Sequence, residues 1–206
     1  MKVDEKYAEL IGIMLGDGCL CKSRRQRLIY ISGHKMDDYD YHYQITQNLF
    51  KYVFNKNTSI KFRNEENTLY IKFSDKTIFN ELASIGIPVG KKYDLLRVPN
   101  CINNKKLFCA LVRGLFDTDG CVVLSKQHKK VPYYPRLEIA SKSDRFLREL
   151  LTRLKFIGFY GSVSKKGRHF RLEIPGFKNL KLWMHLIGMN NPKHAKKVEK
   201  INSKRL

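Results

Sequence analysis

The sequence has few acidic residues and no long apolar run, and each shortage excludes a class of protein. Asp plus Glu number 19 against 40 Lys plus Arg, which gives a formal net charge of +21. Every apolar stretch is far shorter than the ~20 residues that span a bilayer. The charged residues 1–6 are not followed by the apolar core of a signal peptide. We therefore expect a soluble, intracellular protein without a membrane partner.

Cysteines are also few, and none of them belongs to the CxxC pair that a structural zinc site uses. Because an odd number of cysteines in a reducing compartment fits free thiols, we expect them to be structural or incidental. The five are Cys19, Cys21, Cys101, Cys109 and Cys121.

What the chain does have is enough length for a core and a large basic excess. Its 206 residues, 43% of them apolar, suit one domain or two fused repeats of about 100 residues. A surface this basic should attract a polyanion, above all nucleic acid. A ribosomal or chromatin protein would be basic too, so the charge alone does not define the function.

Two matching segments indicate an internal repeat. Residues 8–19 (AELIGIMLGDGC) resemble residues 110–121 (ALVRGLFDTDGC). Their aspartates, Asp17 and Asp119, are 119 − 17 = 102 positions apart.

A downstream match keeps the same offset. Gly86 and Gly188, each at the end of an apolar-periodic segment, are 188 − 86 = 102 positions apart. We therefore predict a tandem duplication, with an N-terminal repeat of residues 1–97 and a C-terminal repeat of residues 98–206. The second repeat carries a longer loop around residues 126–130.

Apolar periodicity and turn signals predict the order αββαββα in each repeat, which is an α+β fold. The predicted helices are residues 5–15, 37–54 and 77–85, then 106–116, 144–156 and 177–187. The predicted strands are residues 19–24, 27–32, 59–63 and 68–73, then 122–126, 136–140, 161–165 and 169–174. The tail, residues 192–206, is predicted to be a peripheral helix or a partly ordered segment.

One face of each repeated helix carries small residues at every fourth position. Glycine in a helix interior costs roughly 1 kcal/mol relative to alanine, but a small stripe lets two helix backbones approach closely. We therefore predict that the two helices pack against each other across a pseudo-two-fold axis. The interface residues are Ala8, Gly12 and Gly16 in the first helix, and Ala110, Gly114 and Thr118 in the second.

This packing would bring the two repeated aspartates together at the negative ends of the helix dipoles. A carboxylate is disfavoured there, and two of them in proximity raise a pKa unless a cation intervenes. A divalent metal resolves both problems, and Mg²⁺ prefers carboxylates, waters and phosphate oxygens. Asp17 and Asp119 therefore indicate hydrolysis of a phosphodiester. Asp-Gly is also an ordinary turn signal, but two at symmetric positions favour a catalytic role.

These segments resemble the motifs of the LAGLIDADG homing endonucleases. Residues 10–18 are similar to the first motif and residues 112–120 to the second, and the surrounding repeats cover almost the whole chain. The resemblance is to the single-chain, two-motif members, which are pseudo-symmetric monomers. It implies two antiparallel four-stranded sheets that form a DNA-binding saddle around the two motif helices. It also implies a long, asymmetric double-stranded DNA target, cut across the minor groove to leave short 3′ overhangs.

The resemblance also implies the metal ligands. The eighth motif residue binds the catalytic metals, which corresponds to Asp17 and Asp119, and the preceding carbonyls, at Gly16 and Thr118, assist. Mg²⁺ is the implied cofactor, Mn²⁺ is expected to substitute for it, and Ca²⁺ is expected to bind without supporting turnover. The sixth motif position departs from symmetry, because it is Asp117 in the second repeat but leucine in the first. Asp117 is therefore expected to be structural.

Family members place a basic or amide residue after the second strand of each repeat, near the reactive water and the scissile phosphate. That position corresponds to Lys142 in the second repeat and to Lys35 in the first, with His34 beside it. A lysine there can polarise the phosphate or orient water as a point charge. The alternative is a solvated residue before a helix.

Strand alternation gives candidates for contacts with DNA. Apolar residues at alternate positions turn to the core, so their polar and basic neighbours form the opposite face. Arg can contact guanine through two hydrogen bonds, whereas Lys mostly contacts phosphate. The alternative is a solvated sheet face. The candidates are Arg25, Arg27, Lys61, Arg63, Tyr70, Lys72, Ser125, Arg136, His169 and Arg171.

Four other functions stay open from the sequence alone. The protein could be an RNA maturase of the same fold that binds its host intron RNA, or a DNA-binding regulator that does not cleave. It could also be an intein endonuclease domain or a basic structural protein. The two motif aspartates argue against the regulator and the structural protein. The lack of flanking splicing blocks favours a freestanding or intron-encoded enzyme over an intein.

Overall fold

The protein has an α+β fold made of two similar halves, in agreement with the prediction. The computed structural model describes residues 2–63, 66–126 and 133–203. The first half contains α1 (Glu5–Leu15), β1 (Gly18–Lys22), β2 (Arg27–His34), α2 (Tyr39–Tyr41), a π-helical turn (His42–Thr46), α3 (Gln47–Phe54), β3 (Ile60–Phe62), β4 (Thr68–Ser74), α4 (Lys76–Ser84) and a 3₁₀ turn (Tyr93–Leu95). The second half contains α5 (Lys105–Asp119), β5 (Gly120–Ser125), β6 (Tyr134–Ser141), α6 (Asp144–Phe156), β7 (Ser162–Lys166), β8 (His169–Pro175), α7 (Phe177–Leu186) and α8 (Pro192–Ser203).

Each half folds its four strands into one antiparallel sheet, in the orders β1-β2-β4-β3 and β5-β6-β8-β7. The two registers correspond, because Gly18 lies opposite Ile31 and Gly120 lies opposite Ile139. Apolar side chains alternate along the strands, so one face of each sheet packs on the helices. The opposite, polar face of each sheet is the face that was predicted to contact DNA.

Capping residues begin the two motif helices, and tertiary packing decides where the second one ends. Asp4 and Asn104 cap α1 and α5, each by accepting a hydrogen bond from the backbone N–H three residues later. Whereas α1 ends at Leu15, α5 continues past its predicted end and reaches Asp119. The last residues of α5 include weak helix formers, and the contact of α5 with α1 overrides that preference.

The C-terminal segment packs on the protein more closely than predicted. Helix α8 buries His194, Val198 and Ile201, and the His194 ring lies 4.9 Å from that of Phe116 in α5. The predicted C-terminal helix is present as α8, and it is more buried than its predicted peripheral position implied. The longer loop predicted around residues 126–130 lies almost entirely outside the described residues. All five cysteines are free thiols. Within the described ranges, every helix is too short or too polar to cross a membrane.

Candidate active site at the paired helix ends

The two motif helices are in direct backbone contact at the centre of the molecule. A β-carbon added to Gly12 would overlap the carbonyl oxygen of Leu111, and one added to Gly114 would overlap that of Glu9. Only glycine permits this approach, which explains why both helix interiors carry it despite the cost. The other members of the predicted stripe, which are buried or half-buried in these helices or at the end of α1, are Ala8, Gly16, Ala110 and Thr118.

Two pockets flank the ends of these helices, and each contains one of the repeated aspartates. The first pocket, of about 410 Å³, is lined by Asp17 and, from the other half, by Thr118. The second pocket, of about 540 Å³, is lined by Asp119 and, from the other half, by Gly16. Each pocket therefore takes its carboxylate from one half of the chain and part of its wall from the other.

The surroundings of the two motif carboxylates raise their pKa values. Burial raises the pKa of Asp17, and the neighbouring carboxylates of Asp119 and Asp38 raise it further. Burial also raises the pKa of Asp119, whereas Lys92 and Lys193 lower the pKa of both motif aspartates. Asp17 is half-buried and Asp119 reaches solvent, so the surrounding protein removes much of the water without sealing the site. A cation that entered would stabilise both carboxylates.

Lys92 is a basic residue of this site that sequence reasoning missed. Its ammonium donates hydrogen bonds to the last carbonyls of α1, at Met14 (2.8 Å), Leu15 (2.9 Å) and Gly16 (2.5 Å). These carbonyls form the negative end of the helix dipole, where a lysine is stabilised. Burial lowers the pKa of Lys92, and the carboxylates of Asp119 and Asp17 oppose that shift. Lys92 therefore links the end of α1 to the second pocket, which it also lines.

A second lysine, Lys193 at the start of α8, contacts Asp38, which lines the first pocket. Its ammonium lies 2.7 Å from Oδ1 of Asp38, and the side-chain amide of Asn191 donates to the same oxygen (2.9 Å). The other oxygen of Asp38 accepts a hydrogen bond from the backbone N–H of His34 (2.8 Å). Although burial raises the pKa of Asp38, the hydrogen bonds from Lys193 and His34 lower it overall. Asp38 is therefore ionised and paired.

The connection between α7 and α8 extends this network across the helix interface. The backbone N–H of Asn190 donates to Oδ2 of Asp117 (2.8 Å), and its side-chain amide donates to Glu9 (2.6 Å). Arg113 pairs with the other oxygen of Glu9 (2.6 Å), and Asn191 donates to the carbonyl of Asp117 (2.9 Å). Burial raises the pKa of Asp117 to about 7. Asp117 thus lies inside a network that joins the two halves.

The sheet registers decide which basic residue enters each pocket. They make His34, the last residue of β2, the counterpart of Lys142, which directly follows β6 (142 − 34 = 108, as for the paired isoleucines, 139 − 31 = 108). His34 lines the first pocket and Lys142 lines the second. Lys35 lies elsewhere, with its ammonium 5.3 Å from the centre of the Phe62 ring. The prediction that Lys35 matches Lys142 is therefore corrected to His34.

The polar face of the first sheet carries most of the predicted DNA contacts of that half. Tyr70 stacks on Tyr30, with 5.8 Å between ring centres, and Arg63 reaches the Tyr30 hydroxyl (3.3 Å). Lys61 and Lys72 lie on the same face by strand alternation. Tyr30 was not predicted, although the alternation of β2 would have indicated it.

Two predicted DNA contacts do not lie on this face. Arg27 alternates in phase with the buried Ile29, and its guanidinium lies 5.9 Å from the ring centre of Phe79 in α4. It also donates to the carbonyl of Ser23 (3.0 Å). The assignment of Arg27 to the DNA face is therefore wrong, because its side chain turns toward the helices. Arg25 is exposed in the turn between β1 and β2.

The second sheet places its four predicted DNA contacts on the polar face. These are Ser125, Arg136, His169 and Arg171, and His169 also lines the second pocket. A carboxylate that sequence reasoning did not select, Glu138, lies among them and is buried.

The missed lysines carried a signal in the repeat, but their partners did not. Lys92 and Lys193 are 193 − 92 = 101 positions apart, close to the motif offset. Lys92 lies 92 − 86 = 6 positions after Gly86, which follows α4, and Lys193 lies 193 − 188 = 5 positions after Gly188, which follows α7. The ion pair of Lys193 joins residues 155 positions apart. Spacing therefore gives no indication that Asp38 is its partner.

Two motif helices in contact at glycines, with a carboxylate at the end of each, are the arrangement that the resemblance to the LAGLIDADG family implies. The sequence of residues 108–188 matches the LAGLIDADG-like domain. The chain therefore contains a LAGLIDADG-like domain within a LAGLIDADG fold that both halves complete.

Solved structures share this fold, and one curated relative matches the sequence. The homing endonuclease I-DmoI in complex with DNA and Ca superposes with a TM-score of 0.64 at 17% identity, covering 97% of this chain and 100% of that chain. Full-length DUF199/WhiA from Thermatoga maritima superposes with a TM-score of 0.63 at 20% identity, covering 98% of this chain and 61% of that chain. An uncharacterized protein of Methanocaldococcus jannaschii is 26% identical over 165 residues, which cover 77% of this chain and 57% of that protein. The chain thus matches little more than half of that relative's length.

Proposed function

We propose that this protein is a metal-dependent, site-specific endonuclease that cuts both strands of a long, asymmetric DNA duplex and leaves short 3′ overhangs. The observation that carries the proposal is the pair of pockets across one helix interface. Each pocket contains a motif carboxylate and a basic residue from the adjoining sheet. Two such centres in one chain fit the cutting of two strands by a monomer.

Duplex DNA is the proposed substrate because of the chain's positive charge and the side chains on the polar faces of the sheets. The net charge is +21, and basic and aromatic side chains lie on the polar faces of both sheets. I-DmoI, which shares the fold, has been solved with DNA and Mn, with DNA and Ca, and with its target DNA in the presence of Mg. We propose the same classes of ligand for this chain.

The residues present fit Mg²⁺ as an open site completed by water and phosphate. Asp17 and Asp119 supply hard oxygen ligands at a place where burial disfavours their charge. Nowhere in the described part of the chain do three His, Cys, Asp or Glu side chains gather as a closed metal cage. The Gly16 carbonyl, predicted to assist, already accepts a hydrogen bond from Lys92 (2.5 Å). When bound, Mg²⁺ supplies the positive charge that stabilises a phosphate under attack.

The protein's own groups would position the phosphate and the attacking water. His34 and Lys142 face the pockets from equivalent sheet positions, where each can donate a hydrogen bond to a phosphate oxygen. Burial raises the pKa values of the motif carboxylates, and the positive charges of Lys92 and Lys193 offset part of that rise. This offset favours the ionised carboxylates, which can accept a water proton or bind a metal.

Cleavage of a randomised library of duplex DNA tests the proposal. The library is incubated with Mg²⁺, with Ca²⁺ or without metal, and the cut ends are sequenced. The proteins are the wild type, Asp17→Asn, Asp119→Asn and a matched control, Asp144→Asn. The control makes the same change at the N-terminal end of α6, where the carboxylate pairs with Arg148 (2.8 Å).

Support would be Mg²⁺-dependent double-strand cuts at one long site by the wild type and the control, and by neither motif variant. Enrichment of a site without any cut would instead favour a DNA-binding protein that does not cleave. That second candidate is accommodated by a fold shared with both I-DmoI and WhiA. An absence of any DNA preference would contradict both functions and make structured RNA the next ligand to test.

A further inference from the structure

Glu138 is a buried carboxylate in the middle of the second sheet's polar face. It lies between Leu137 and Ile139, whose side chains belong to the core, so it points to the opposite face. Its side chain is only 4% exposed. A carboxylate on a face that attracts a polyanion repels phosphate, and its burial is costly unless partners compensate.

Two arginines cover this carboxylate. Arg136, two residues earlier on β6, contacts Oε1 through its Nε atom. Arg171, on the neighbouring strand β8, places Nη1 3.0 Å from Oε2. The thiol of Cys121 lies 3.9 Å from the same oxygen. Charge-assisted hydrogen bonds of this kind hold a guanidinium in a defined orientation.

The contacts leave other donors of both arginines available. A guanidinium has five N–H donors, and the contact of Arg136 uses Nε. Among the described residues, its two terminal amino groups therefore keep their donors available. The side chains of Arg136 and Arg171 are 29% and 38% exposed. Two terminal amino groups side by side match O6 and N7 of guanine in the major groove.

The first half of the chain has a different arrangement at the same place. The registers make Tyr30 the counterpart of Glu138 and Tyr70 the counterpart of Arg171. Those two tyrosines stack on each other and form no ion pair. The carboxylate–arginine cluster is therefore a property of the second half, and it is not required by the fold.

We infer that Glu138 is a positioning residue that determines sequence specificity, by holding Arg136 and Arg171 ready to read bases in the half of the target under the second sheet. The inference rests on the proposed DNA binding and does not require cleavage. Preorganised arginines lose less conformational freedom when DNA binds, so more of the free energy of their contacts with matched bases is kept as binding free energy.

Quantitative sequencing of a bound, randomised duplex library in Ca²⁺ tests this role. The proteins are wild type, Glu138→Gln, Arg171→Gln and the control Glu173→Gln. The control removes the same charge from the residue directly opposite Glu138 in the register. We expect Glu138→Gln and Arg171→Gln to lose preference at the same few adjacent base pairs, by about 5- to 100-fold. Glu138→Gln should also bind a duplex of unrelated sequence more tightly, because a negative charge is gone.

The control should keep the wild-type base preference. An unchanged preference in a folded Glu138→Gln protein would overturn the inference alone, and so would an equal loss in Glu173→Gln, which would indicate a general charge effect. If Glu138→Gln does not fold, Arg136→Gln replaces it. If Arg136→Gln loses base preference at the same base pairs as Arg171→Gln, the result supports the inference that the two arginines act together. If it loses preference at separate base pairs, the inference is overturned. A wild type without any base preference would overturn the proposed DNA target as well.

Discussion

Replacing Lys92 by methionine tests whether one ammonium secures the end of α1. In the wild type it donates to three carbonyls, at Met14, Leu15 and Gly16. Methionine keeps most of the apolar stem but has no donor. The three helix-end carbonyls would lose their shared partner, and the neighbouring motif carboxylates would lose a positive charge.

The expected loss of stability follows from those contacts. A hydrogen bond to a charged group is worth about 1.5–3 kcal/mol, and an unsatisfied buried acceptor costs about 1–3 kcal/mol. The three bonds share one ammonium, whose burial lowers its pKa, so desolvation offsets part of the gain. We expect the free energy of unfolding to fall by about 2–4 kcal/mol. For a chain of this size that is about 4–16 °C in Tm.

Calorimetric melting of metal-free protein at neutral pH measures the effect. Lys91→Met is the matched control, because Lys91 is the exposed neighbour in the same segment. Its Tm should stay within about 2 °C of the wild type, as for other surface substitutions. Equal melting temperatures for the two variants would refute the reasoning, because the contacts of Lys92 with α1 would then contribute nothing.

Three further predictions concern the helix interface and its carboxylates. Burial raises the folded-state pKa of Asp119 above its unfolded value, so its ionisation costs stability as the pH rises. In thermal melts without metal, the Tm of Asp119→Asn should therefore be higher than that of the wild type at about pH 8 but not at about pH 4. An equal gain in Tm at both pH values would contradict this. Gly114→Val forces a side chain against the Glu9 carbonyl and should lose at least about 2 kcal/mol in urea titration; wild-type stability would mean that the helices are apart. Lys193→Met leaves Asp38 buried without its cation and should cost about 3–5 kcal/mol. Adding Asp38→Asn should restore part of that loss, and strict additivity would disprove the coupling.

The fold could be predicted because the chain contains the same order of helix and strand signals twice. The alternation of apolar residues in β4 and β8 and the helical periodicity in α1 and α6 are local signals. Because the chain is duplicated, the elements predicted in one repeat could be compared with those predicted in the other. The end of α5 could not be predicted, because Thr118 and Asp119 favour a turn by propensity and become helical only beside α1. Residue-level signals fail where a tertiary contact decides the outcome.

The site likewise contains residues that local signals indicate and residues that only tertiary contacts bring there. Asp17 and Asp119 could be selected as candidates because they occupy equivalent positions in the two repeats, and each lines one of the two pockets. Lys92 and Lys193 bind groups 76 to 78 and 155 positions away, and no periodicity reports contacts of that range. Glu138 was passed over because alternation identifies the polar face of a strand but does not indicate which polar residues become buried there.

The backbone contact at Gly12 and Gly114 fixes the distance between the two motif helices at the centre of the molecule. Because main chain meets main chain, no exchange of side chains can bring the helices closer together, and a larger residue at either position can only force them apart. In the proposed endonuclease the stagger between the two cuts would then be set by the helix pair alone. The sheets could change the sequence they read without altering that stagger, and a target of different central length would have to adapt by deformation of the DNA itself.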